Sequence, residues 1–158
     1  MSEVSAYHEA GHVFVAVRAG GRVVSATIDP DWDDGPARYA DVQIEWPLDQ
    51  FTERELNESI VMVALAGPVA EMIYTGDPFH PGLVAEWADD WRTAWEALHH
   101  LKDQRKRLAY LERQTQSLYQ LLRRDEIWEA IATIADHLLA HETLEQAEID
   151  EILEPWFS

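Results

Sequence analysis

Residues 3–19 set apolar side chains in helical rhythm, with Val4, Tyr7, Val13, Phe14 and Val17 along the stretch, and Gly20-Gly21 stops the helix just beyond it. A helix this apolar needs a core to cover it. Two extended segments come next. Arg22–Ile28 is rich in β-branched residues, and residues 38–46 alternate Tyr39, Asp41, Gln43 and Glu45 with Val42, Ile44 and Trp46. The acidic run from Asp29 to Pro36 between them reads as a turn region. A small sheet of two or three strands fits this stretch.

Everything downstream reads as helix. Thr52 with Glu55 forms the signature of a capping box, opening a helix that should reach Tyr74. Pro68 lies inside it and is expected to kink or interrupt it after Gly67. A loop follows at residues 76–82. Further helices are expected at about 84–101, 103–123 and 125–141, and Thr143 with Gln146 suggests a capped terminal helix near 145–154. The expected fold is α+β and mainly helical: an N-terminal helix, a small β-sheet, then a bundle of about five helices. No repeat, low-complexity tract or linker divides residues 1–158, so a single domain is expected.

Within the first helix, His8-Glu9-Ala10-Gly11-His12 matches the pattern His-Glu-x-x-His. Residues four apart share one helix face, so both imidazoles can meet one ion. Glu9 stands beside the first histidine, where it can take a proton from water held at an open coordination position. The chain has no cysteine, so any metal ligand must be a histidine or a carboxylate. A third ligand is not found just after His12, because Val13–Arg18 offers no suitable donor. The downstream candidates are Glu58, Glu71, Asp89 and Asp90.

The wider sequence resembles a known family. Ala6-Tyr7-His8-Glu9-Ala10-Gly11-His12 looks like the opening of the peptidase domain of FtsH-type AAA+ zinc proteases. The segment Leu65-Ala66-Gly67-Pro68-Val69-Ala70-Glu71, continuing to Gly76, is similar to that family's Leu-Ala-Gly-Arg-Ala-Ala-Glu segment. Asp89-Asp90 falls where the family has Asn-Asp before a helix carrying its aspartate ligand, and Glu142–Glu145 with Ile149–Leu153 resembles its closing helix. The resemblance implies that His8, His12 and Asp90 bind Zn2+ and that Glu9 is catalytic. Helix phase favours the same aspartate: Trp87, Trp91, Ala94, Leu98 and Leu101 define one apolar arc, with Asp90 at its edge and Asp89 on the opposite side. Glu71 remains the main alternative ligand, with a supporting carboxylate as its other reading.

The departures from the family also carry weight. The sequence contains no phosphate-binding loop of the Gly-Lys-Ser/Thr kind and no membrane anchor, and Pro68 stands in place of an arginine. The expectation is therefore a freestanding zinc-dependent endopeptidase acting on peptides or unfolded protein segments. The alternative is a non-catalytic or regulatory relative whose zinc is structural or whose cleft binds a protein partner.

Net charge is −18, from 30 acidic and 12 basic residues, which argues against binding nucleic acid or an anionic membrane. Seven basic residues lie between Lys102 and Arg124, and a solvated helix face accounts for them. With no secretory signal and no run of eighteen apolar residues, a cytoplasmic protein is expected. His137 and His141 repeat the four-residue spacing without the glutamate and read as helix-end histidines, as do His99-His100. His80 reads as a loop residue, and the tryptophans at 87, 91 and 95 as core packing. Residues 39–46 are a candidate edge strand onto which an extended peptide adds.

Overall fold

The computed structural model describes residues 2–29, 41–76 and 87–157. The elements in chain order are α1 (Ser2–Arg18), β1 (Arg22–Thr27), β2 (Asp41–Glu45), a short 3-10 turn, α2 (Glu53–Thr75), α3 (Ala88–Ala97), α4 (Gln104–Leu122), α5 (Asp125–His141), β3 (Thr143–Glu145) and α6 (Gln146–Phe157). The fold is α+β and mainly helical, as expected.

Local chemistry sets the boundaries. α1 ends where Gly20 takes φ +100. There Gly20 N–H returns to the Val17 carbonyl (3.0 Å) and Gly21 N–H to that of Ala16 (2.9 Å), a Schellman closure that satisfies two orphan carbonyls. The capping box opening α2 is complete: Glu55 N–H donates to Thr52 Oγ1 (3.1 Å), and Thr52 N–H to Glu55 Oε1 (2.9 Å). The same helix stops at Gly76, which adopts φ +77.

Two expectations need correction. The interruption at Pro68 does not occur, and α2 runs unbroken from Glu53 to Thr75. The proline removes one backbone donor, but its neighbours from Val61 to Ala70 are mostly buried against α1, α3 and α4, and that packing outweighs the loss. Thr143 does not cap the last helix. It opens β3, and its Oγ1 shares a hydrogen bond with Thr27 Oγ1 (2.8 Å). Burial of Leu144 on the sheet decides the matter, and three residues are too few for an alternation to show in sequence.

The sheet order is β2-β1-β3, antiparallel throughout, with Val23 facing Ile44 and Ala26 facing both Val42 and Leu144. Among the described residues β2 is thus an edge strand, while residues 38–40 of the longer expected strand lie outside them. α1 occupies the middle of the fold, touching α2, α5 and the sheet. α3 is shorter than expected: it ends at Ala97, and residues 84–86 lie outside the described residues. Its exit is held by Arg107, whose guanidinium donates to the carbonyls of Leu101 and Trp95, so one member of the basic run serves the fold. Among the described residues one helix, α2, is long and apolar enough to cross a membrane by length and composition, but 56% of its most apolar window is buried in the domain.

Candidate metal centre

Helices α1 and α2 meet through their smallest residues. A Cβ on Gly11 would lie 2.6 Å from the Ala66 carbonyl oxygen and 2.7 Å from the Ala70 methyl. A Cβ on Gly67 would lie 2.3 Å from His12 Nε2, 2.6 Å from Cε1 and 2.8 Å from Cδ2. Nearness to all three atoms puts Gly67 against the ring face, so the imidazole lies flat on the backbone of α2. This contact turns the His8 and His12 side of α1 toward α2 and the helix beyond it.

That third helix supplies Asp90. Its Oδ2 lies 2.8 Å from His8 Nε2 and 3.4 Å from His12 Nε2, and one donor atom from each residue falls within 4.8 Å of the others. Neighbouring ligands around tetrahedral zinc are roughly 3.3 Å apart, given zinc–nitrogen bonds of about 2.0–2.1 Å. Two imidazole nitrogens and one carboxylate oxygen thus converge at a spacing suited to a divalent cation.

The far side of each imidazole is held as well. His12 Nδ1 lies 2.6 Å from the Val63 carbonyl oxygen, which can only accept, so the ring donates there and turns Nε2 toward Asp90. His8 Nδ1 lies 2.8 Å from Glu71 Oε1, and the same oxygen accepts from the Trp87 indole N–H at 3.0 Å. Such supporting partners fix the tautomer and the orientation of ligating histidines.

The electrostatics favour positive charge at this point. Burial opposes the imidazolium of His8, yet hydrogen bonds to Asp90 and Glu71 and the charge of Glu9 push it up to about 10. Burial likewise opposes protonation of His12, and the Asp90 carboxylate more than offsets it, so this pKa is also raised. Burial would lift the carboxyl of Asp90, but the two histidines hold it well below the usual carboxylate range. Two carboxylates and the charge of Glu9 around the imidazoles thus make this a point where positive charge is favoured.

Of the remaining sequence candidates, Glu9 is 4% exposed and lies between the two histidines on α1. Glu71 faces the back of His8 rather than the converging atoms. Asp89 is exposed and pairs with Arg92, and Glu58 pairs with Arg54 in the second turn of α2. His80 lies outside the described residues. His137 Nδ1 donates to the Thr133 carbonyl within its own helix (2.9 Å). Trp87 is buried, while Trp91 and Trp95 pack partly buried against the core. A cleft of about 670 Å3 beside Ile73, Arg123 and Trp128 has none of the candidate ligands in its lining. Sequence reasoning missed the Val63 carbonyl and the Trp87 indole. A backbone acceptor leaves no trace in residue identity, and Trp87 was legible only as a core residue.

No protein-family model matches the chain, and no curated protein matches it in sequence.

Proposed function

We propose that this protein is a zinc-dependent endopeptidase related to the FtsH peptidase domain, acting on peptides or unfolded segments. The observation that carries the reading is the convergence of His8 Nε2, His12 Nε2 and an Asp90 oxygen, with both histidines braced from behind. Among the described residues three ligands converge, and a site with three keeps a fourth position for water or substrate, the arrangement of a catalytic site, whereas structural zinc sites close all four. When bound, zinc polarises a carbonyl and lowers the pKa of water to about 7.

The chain's own residues supply the rest. Glu9 accepts the proton of the attacking water on a carboxylate oxygen and returns it to the leaving amine. Glu71 and the Val63 carbonyl keep the two rings oriented, so no reorganisation is needed as charge develops. Two histidines with one carboxylate also suit ferrous iron, but Glu9 one residue from the first ligand favours hydrolysis.

Elemental analysis of the purified protein, followed by a fluorogenic-peptide assay, tests the reading. One bound zinc with turnover in the wild type, and zinc retained without turnover in Glu9→Gln, is the expected pair of results. Turnover that survives Glu9→Gln sinks the assignment. A zinc-loaded protein that cleaves neither peptides nor unfolded casein points instead to a partner-binding relative.

A further inference from the structure

The indole of Trp87 is 4% exposed and stands at the N-cap position of α3, where no side chain caps the helix. Its N–H donates to Glu71 Oε1 at 3.0 Å. An indole nitrogen can only donate, so this oxygen serves as an acceptor. The same atom receives His8 Nδ1 at 2.8 Å. His8 thereby donates through Nδ1 and presents Nε2 to the Asp90 side.

Asp90 lies three residues after Trp87, one helical turn along the same face. The contacts therefore close a ring: Trp87 to Glu71, Glu71 to His8, His8 to Asp90, and back to Trp87 through the first turn of α3. His8 is held at both nitrogens by one short stretch of α3, at one side through Glu71 and at the other directly. The carboxylate of Glu71 is meanwhile held against rotating away from the ring.

We propose that Trp87 is a positioning residue of the metal centre, setting its affinity by fixing Glu71 and seating α3 so that Asp90 meets both histidines. The inference rests on the metal-centre reading above. It assigns Trp87 no contact with substrate or ion. Its effect travels through one hydrogen bond and the start of one helix.

The test is a double-substitution cycle read by zinc affinity, using competition with a chromophoric chelator on the full chain. Trp87→Phe keeps the buried ring and removes the donor, and Glu71→Gln weakens the acceptor. Supporting partners of metal ligands typically govern affinity by about 10–100-fold, so each single variant should lose zinc affinity within that range. The double variant should lose little more than Glu71→Gln alone, because Trp87→Phe keeps the buried ring and removes only a donor that reaches His8 through Glu71.

Cobalt substitution gives a second readout, since the visible spectrum of the Trp87→Phe protein should shift with the altered ligand field. If Trp87→Phe does not fold, Glu71→Gln with a cobalt spectrum identical to wild type overturns the proposal. Zinc affinity unchanged in Trp87→Phe, or losses that add in full, overturns it as well and leaves the metal centre standing. A wild-type protein that takes up no zinc overturns both.

Discussion

Replacing Gly67 with alanine adds one methyl group at the point where α2 supports His12. The new carbon would lie 2.3 Å from Nε2, and ordinary contact begins near 3.4 Å, so ring and helix must separate by about 1.1 Å. The helix cannot easily supply that movement. Val63, Leu65, Ala66, Val69 and Ala70 are all buried around Gly67, and α1 already touches the backbone at Ala66. The ring must therefore shift or turn, losing its alignment between the Val63 carbonyl and Asp90. Metal sites tolerate ligand displacements of about 0.2 Å, several times less than this. Zinc affinity should fall by about 100-fold, or about 2.7 kcal/mol, read by competition against a chromophoric chelator. A control separates the site from the helix. In the Gly67→Ala/His12→Ala double variant the ring is gone, and alanine's helix-propensity advantage over glycine, about 1 kcal/mol, should raise the melting temperature above that of His12→Ala alone. A Gly67→Ala protein that binds zinc like the wild type refutes the reasoning, because the ring would then not depend on the space left by Gly67.

Other perturbations probe other parts of the molecule. In the metal-free protein the His8 pKa is raised from 6.5 to about 10, so its contribution to stability is complete below pH 6.5 and is lost as pH rises through about 10. The Asp90 carboxyl is lowered from 3.8, so its contribution is present above pH 3.8 and is lost as pH falls through its depressed value. The metal-free melting temperature should accordingly peak between these limits, as calorimetry at several pH values would show. Zinc requires neutral imidazoles, so its uptake should release protons, measurable as a buffer-dependent binding enthalpy. Thr52→Ala removes the capping box of α2 and should cost about 1 kcal/mol, a drop of about 2–4 °C in melting temperature, with zinc affinity unchanged. Gly76→Ala meets no atom within 4 Å but forces φ +77 on an alanine, so a loss of roughly 1–2 kcal/mol in chemical denaturation is expected.

Most of this architecture was legible because it is local. Gly20-Gly21, Thr52 with Glu55, and Gly76 each mark a helix end through backbone chemistry confined to a few residues, and each lies where the structure ends or begins a helix. The histidine pair was legible for the same reason, since four residues on a helix fix one face. Asp90 lies 82 residues from His8, and it emerged only because helix phase and resemblance pointed to the same side of α3. The elements that escaped depend on tertiary contact. β3 exists because Leu144 finds the sheet, and α2 survives Pro68 because its neighbours bury it. The brace on His12 is a carbonyl that any residue at position 63 would supply.

The position of β3 in the chain bears on how the protein folds. Thr27 must find Asp41 to start one side of the sheet and Thr143 to start the other, separations of 14 and 116 residues. Closing the longer loop costs roughly 2 kcal/mol more in chain entropy. The hairpin of β1 and β2 and the three helices around His8 all lie within the first 97 residues, so their contacts are the cheaper ones to make. β3 covers the edge of β1 that would otherwise invite pairing with another chain. Without β3 docked, that edge of β1 stays open to pairing with another chain, so the short closing strand also guards against self-association.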